Sequence, residues 1–250
     1  MCTVTFILRE VGYYLAMNRD EQLARIAGVP PQRRFVSRST VLCPSEPGGG
    51  TWISLNDARA SFALINWYSV PGRVKGEGVS RGEVVRRASA CCAPGEAEEG
   101  LSGLPLNLIN PFRLIGVFRD GCEIVEWKWD LKNFVRQRHP WKPQQWISSG
   151  YDEPMARAAR NLAFQRAQRE DSAGTVEWLR RLHRSHHPKC GPFSTCMHRA
   201  DAATVSYTEI SVTQNEATMG YRSGQPCVSS RDVIHETTVA ATPVDNHSQF

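Results

Sequence analysis

Several things are scarce in this sequence, and each scarcity excludes something. No apolar run approaches the roughly 20 residues that a membrane-spanning helix needs. The first apolar stretch is cut by Arg9 and Glu10, so no secretory signal is read and a cytoplasmic protein is expected. The 250 residues hold no low-complexity tract, no internal repeat and no block of like charge. Basic and acidic residues, 30 against 25, are spread along the chain. The pairs Arg86-Arg87 and Arg180-Arg181 fall within helical patterns, which makes them solvated helix faces and not a nucleic-acid footprint. Chemical motifs are sparse as well. The stretch "GEGVSRG" lacks the lysine of a phosphate loop. His183, His186, His187, Cys190, Cys196 and His198 lie close together but include no Cys-x2-Cys pair, so no metal is expected there. The three neighbouring histidines read instead as the polar end of a helix.

What is present suits a globular chain: 41% apolar and 22% charged residues, long enough to bury a sizeable core. Eight cysteines would be reduced in a cytoplasm, mostly as small buried side chains. Residues 3–9 and 13–17 read as two antiparallel strands around a Val11-Gly12 turn. Residues 22–45, with Pro30 and Pro31, read as loop. Strands are expected at 51–55 and 60–65. A helix follows Ser80-Arg81-Gly82-Glu83, which has the form of a capping box. Residues 94–110 again read as loop. Two strands, 112–118 and 122–129, flank Asp120-Gly121, a hairpin signal. A short strand at 146–149, helices at about 154–168 and 175–186, and strands at 203–212 and 217–221 complete the order. The strand pairs all read as hairpins, so antiparallel sheets carrying packed helices are expected. One domain is expected over residues 1–225, with 226–250 a flexible tail.

The chemistry gathers at the start. Removal of Met1 would leave Cys2 first, with a thiol nucleophile and a free α-amine whose ordinary pKa is about 7.7–8.0. A hairpin brings the end of the second strand back beside Cys2. That places Arg19 and Asp20 where a cation can lower the thiol pKa or hold a substrate carboxylate, and an anion can orient the terminal amine.

The stretches "MCTVTFI", "NRDEQLAR", "GGGTWISLN", "ALINWY", "SRGEVV" and "FSTCMHRADAATVSYTEI" together resemble the NRDE family, also called the transport and Golgi organisation 2 family. That family is similar to N-terminal nucleophile (Ntn) hydrolases of the choloylglycine hydrolase and penicillin V acylase type. The resemblance implies an α+β fold, a four-layer αββα sandwich of antiparallel sheets. It implies an amidohydrolase acting on a small acyl or amide substrate, without a cofactor. Cys2 would be the nucleophile, with Arg19 and Asp20 beside it. Asn66 matches an asparagine able to donate to an oxyanion. Asn18, Trp67, Ser149 and Arg199 would face substrate, although Ser149 stands where relatives carry asparagine. The alternative the resemblance carries is a non-catalytic binding or trafficking protein for haem or a hydrophobic lipid or acyl ligand.

Overall fold

The computed structural model describes residues 2–228 and 235–240. Its first two strands, β1 (Cys2–Leu8) and β2 (Tyr13–Gln22), form the expected hairpin, and β2 runs on past Met17 through Asn18, Arg19 and Asp20. Later in the chain come β10 (Gln144–Ser148), β11 (Ala202–Val212), β12 (Glu216–Ser223) and β13 (His235–Ala240). With the first pair they make one antiparallel sheet in the order β10-β1-β2-β11-β12-β13. Residues 235–240, expected as tail, thus add a strand to its edge. The remainder of that tail beyond residue 240 lies outside the described residues.

The second sheet joins β3 (Val29–Val36), β4 (Ser39–Ser45), β5 (Ile53–Asn56), β6 (Ala60–Asn66), β7 (Phe112–Phe118), β8 (Glu123–Trp129) and β9 (Phe134–His139) in sequence order. Both of its edges differ from the sequence reading. β3 is an edge strand, so Pro30 and Pro31 remove no interior ladder bond, and the register slips between Val29 and Gln32. β9 is largely exposed, which leaves its sequence without apolar alternation. β4, buried between β3 and β5, also lies in the stretch expected as loop.

Alternation of side chains across each strand builds the layers. One core lies between the sheets, where Val4, Phe6, Leu15 and Met17 meet Leu42, Ile53, Leu55 and Ile115. The helices α1 (Gly82–Ala88) and α2 (Pro94–Ser102) cover the far side of the seven-stranded sheet through Val84, Val85, Ala97 and Leu101. Helix α2 occupies a region expected as loop; Pro94 sits in its first turn, where a missing N–H costs nothing. The helices α3 (Glu153–Ala167) and α4 (Val176–Arg184) cover the six-stranded sheet, with Phe164, Trp178 and Leu182 packed on Ile7, Ala16 and Tyr207. The result is the four-layer αββα sandwich. No described helix is long and apolar enough to cross a membrane.

The start of α1 differs in detail from the capping box. Ser80 Oγ accepts from Gly82 N at 3.2 Å, and the Glu83 carboxylate pairs with Arg86. Gly82 is needed for another reason. A Cβ there would stand 2.7 Å from Gly50 Cα and 2.8 Å from Thr51 N, so two glycines let the helix start press against the strand layer.

Candidate active site

The register of β1 sets Cys2 opposite Arg19 on one side and opposite Ser148 on the other. Paired residues of antiparallel strands share a face, so all three point between the sheets. The opening there is a cavity of about 350 Å³. Cys2, Arg19, Asp20 and Asn66 line it, with Glu21, Arg25, Glu46, Trp52 and Arg81. Cys2 and Arg19 come from the six-stranded sheet, Asn66 from the end of β6 on the facing sheet, and Arg81 from the residue before α1.

Arg19 is held from several sides. It donates to Glu46 at 2.6 Å and Glu21 at 3.3 Å, and its guanidinium lies 4.4 Å from the Trp52 ring centre. Burial raises the Cys2 thiol above its ordinary pKa. The charge of Asp20 adds to that rise; the N-terminal ammonium, a hydrogen bond from the Asp20 backbone N–H and the charge of Arg19 oppose it. Asn66 Nδ2 donates to the Tyr68 hydroxyl at 2.7 Å, and a primary amide carries a second N–H. The Ser148 hydroxyl, level with Cys2, is buried with no hydrogen-bond partner among the described residues. Among the described residues Arg81 donates only at 3.4 Å, to the Pro111 carbonyl, and burial lowers its pKa.

On the opposite face of β1 and β2 the polar groups engage the helices. Asn18 Nδ2 donates to the His183 and Thr195 carbonyls, both at 2.9 Å. Its Oδ1 therefore accepts from His183 Nδ1 at 3.0 Å, which fixes a neutral imidazole whose Nε2 accepts from the Thr5 hydroxyl. Burial lowers the His183 pKa to about 3. His183, expected at a polar helix end, is completely buried. Asp20 accepts from Thr204 Oγ1 at 2.6 Å and from both terminal nitrogens of Arg160 at 3.3 Å. Arg160 also donates to Thr3 Oγ1 at 2.7 Å.

The other expected substrate contacts stand away from the cavity lining. Asn18 faces the helix layer. Trp67 donates its backbone N–H to Pro111 at the end of the strand pair. Ser149 is buried and accepts from Tyr151 N. Arg199 pairs with Asp201 at 2.7 Å and lies over the Tyr151 ring. The sequence reading missed Arg160, Arg81 and the Glu21–Arg25–Glu46 cluster. A signal for Arg160 existed: it stands in the stripe Ala156, Arg160, Ala163, Ala167, where an arginine in an apolar row requires a buried partner.

No family model and no curated protein matches this sequence. Solved structures do match its fold. Penicillin V acylase from Agrobacterium tumefaciens superposes with a TM-score of 0.57 at 12% identity, covering 89% of this chain and 83% of that one. A mutant of conjugated bile acid hydrolase from Clostridium perfringens gives 0.53 at 8% identity, over 98% and 97% of the two chains. Another variant of that hydrolase gives 0.50 at 10% identity over the whole of both. The fold is Ntn-hydrolase-like. At these identities the likeness concerns architecture, and the chemistry has to be argued from the residues.

Proposed function

We propose that the protein is an N-terminal-nucleophile amidohydrolase. The observation that carries this reading is the Cys2 thiol on the wall of a cavity, level with Arg19 across the β1–β2 pair, with Asn66 of the other sheet lining the same cavity. The NRDE-like stretches and the likeness to two acylase-type structures support the same reading.

In this scheme Met1 is removed and the α-amine of Cys2 takes the thiol proton. The thiolate attacks the amide carbonyl, Asn66 Nδ2–H donates to the oxyanion, and the C–N bond breaks as the ammonium returns its proton to the leaving amine. Water, activated by the same amine, then hydrolyses the thioester and restores the thiol. Arg19 favours the thiolate. Asp20, fixed by Arg160 and Thr204, holds its backbone N–H toward the sulfur. The substrate we infer is a small amide bearing a carboxylate, since Arg81 lines the cavity and, among the described residues, makes only one long hydrogen bond, to a carbonyl. A lining of Arg19, Glu21, Arg25, Glu46 and Arg81 favours such a polar ligand over haem or a lipid chain.

Intact-mass analysis is expected to show the chain without Met1, and an acylating thiol probe is expected to label Cys2. Cys2→Ala is expected to lose labelling there and to lower amide hydrolysis on the order of 10³-fold or more, with an unchanged circular dichroism spectrum. Retained Met1, or undiminished hydrolysis by Cys2→Ala, refutes the scheme.

A further inference from the structure

Behind the cavity a second group of reactive side chains comes together, and none of them lines the cavity. After α4 ends, the chain folds into a loop fixed by its own backbone: Cys196 N donates to Ser185 O at 3.0 Å, and His198 N donates to Gly191 O at 3.1 Å. Ser194 Oγ hydrogen-bonds to the Gly191 and Cys196 carbonyls. From the other side, the turn after β12 is fixed by Gly224 N donating to Val205 O at 2.8 Å, and it delivers Cys227. The ligand atoms of His186, Cys196, His198 and Cys227 consequently lie within 4.8 Å of one another.

Cys196 is hydrogen-bonded with Cys227, but hydrogen bonding at His198 does not account for the convergence of its three neighbours. His198 Nε2 stands 3.0 Å from His186 Nε2, 3.6 Å from Cys196 Sγ and 3.4 Å from Cys227 Sγ. One ring nitrogen carries either one proton or one lone pair, so it can serve only one of three neighbours well. A central cation would use all four lone pairs at once. A tetrahedral ion at about 2.0–2.1 Å from nitrogen and about 2.3 Å from sulfur separates its ligands by about 3.3–3.4 Å (N to N) and about 3.5–3.6 Å (N to S). The three separations in the structure differ from those edges by only a few tenths of an ångström.

We propose that His186, Cys196, His198 and Cys227 form a structural zinc site. Two thiolates cancel the charge of a divalent ion, which makes the partly buried position electrostatically affordable. Two sulfur and two nitrogen donors select zinc over magnesium or calcium, and four protein ligands leave no open position for catalysis. The site staples the 185–198 loop to the turn after β12. That loop supplies the Thr195 carbonyl to Asn18 and the Met197 N–H to Thr204, the residue that donates to Asp20. The bound ion therefore braces the wall that supports the β2 end of the cavity. Cys227 follows His198 by 29 residues, which is why interval rules for zinc motifs pass over the set.

The test is elemental analysis of the full chain, expressed with zinc and kept reduced. Wild type and Cys2→Ala are expected to carry about one zinc per chain. The double variant Cys196→Ser, Cys227→Ser is expected to fall to background. Cobalt exchanged into wild type is expected to give thiolate-to-cobalt charge-transfer absorption and intense tetrahedral visible bands. This spectrum decides the matter even where the double variant does not fold. Substoichiometric zinc in the reduced wild type, undiminished zinc in a folded double variant, an octahedral cobalt spectrum or a Cys196–Cys227 disulfide in the reduced protein would each overturn the proposal.

Discussion

The two faces of the β1–β2 hairpin both carry polar groups and use them in opposite ways. On the helix-facing side, Thr3, Thr5, Asn18 and Asp20 meet His183, Arg160 and Thr204, and the hydrogen bonds close into a buried network. On the sheet-facing side, Cys2 and Arg19 look into a cavity, the thiol with a raised pKa, and the neighbouring Ser148 hydroxyl has no hydrogen-bond partner among the described residues. The first arrangement is what stability requires of buried polar atoms, and the second is what a reactive site requires. A single strand can do both because successive residues point in opposite directions.

If that division is real, substitutions on the helix side should lower stability and those on the cavity side should alter chemistry. The largest effect is expected from Arg160→Met, which removes the guanidinium from the buried Asp20 carboxylate. Denaturant unfolding should show a loss of about 3–5 kcal/mol, and a change below about 1 kcal/mol would break the comparison. Next is a pH effect. His183 has a folded pKa of about 3 against an ordinary 6.5, so the unfolded chain binds a proton that the folded chain refuses. That stability is fully present above pH 6.5 and is lost as pH falls toward 3, by about 1.4 kcal/mol for each pH unit between the two values. Unfolding midpoints measured across that window should slope for wild type and flatten for His183→Gln.

On the cavity side, Arg19→Gln is expected to lower kcat/KM by roughly tenfold to a hundredfold, with stability changed by no more than about 1 kcal/mol. Because Arg19 favours the thiolate, its loss should move the pH profile of Cys2 alkylation upward; an unmoved profile would separate Arg19 from the thiol. The smallest effect belongs to Arg81→Gln. A carboxylate-bearing amide should show KM raised about tenfold at unchanged kcat, and a neutral amide should be turned over as before. Equal effects on both substrates would remove Arg81 from substrate recognition.

The legible part of the site lies within a short span of sequence. Cys2 and Arg19 are joined by one hairpin, whose register follows from two alternating strands and a glycine turn, so their opposition could be read directly. Asn66 was legible as the end of a strand. His183 was not, because it approaches β2 from more than 100 residues away, and Arg160 showed only as an arginine in an apolar helix stripe, with nothing nearby in sequence to name its partner. β3 and β9 escaped for a different reason: edge strands solvated on both sides have no apolar rhythm to read. The set His186, Cys196, His198 and Cys227 shows the same limit for ligands, since a spacing rule sees only donors from one stretch of chain.

The sequence by itself determined the hairpins, the main helices and the placing of a thiol beside a cation, because alternation, turn chemistry and strand register act over a few residues. Only the tertiary structure decided which face of each strand met helices and which met a cavity. That outcome depends on the closure of distant layers, where burial sets the charge state of His183, binds Asp20 to Arg160 and gathers four metal-type donors from two separate segments.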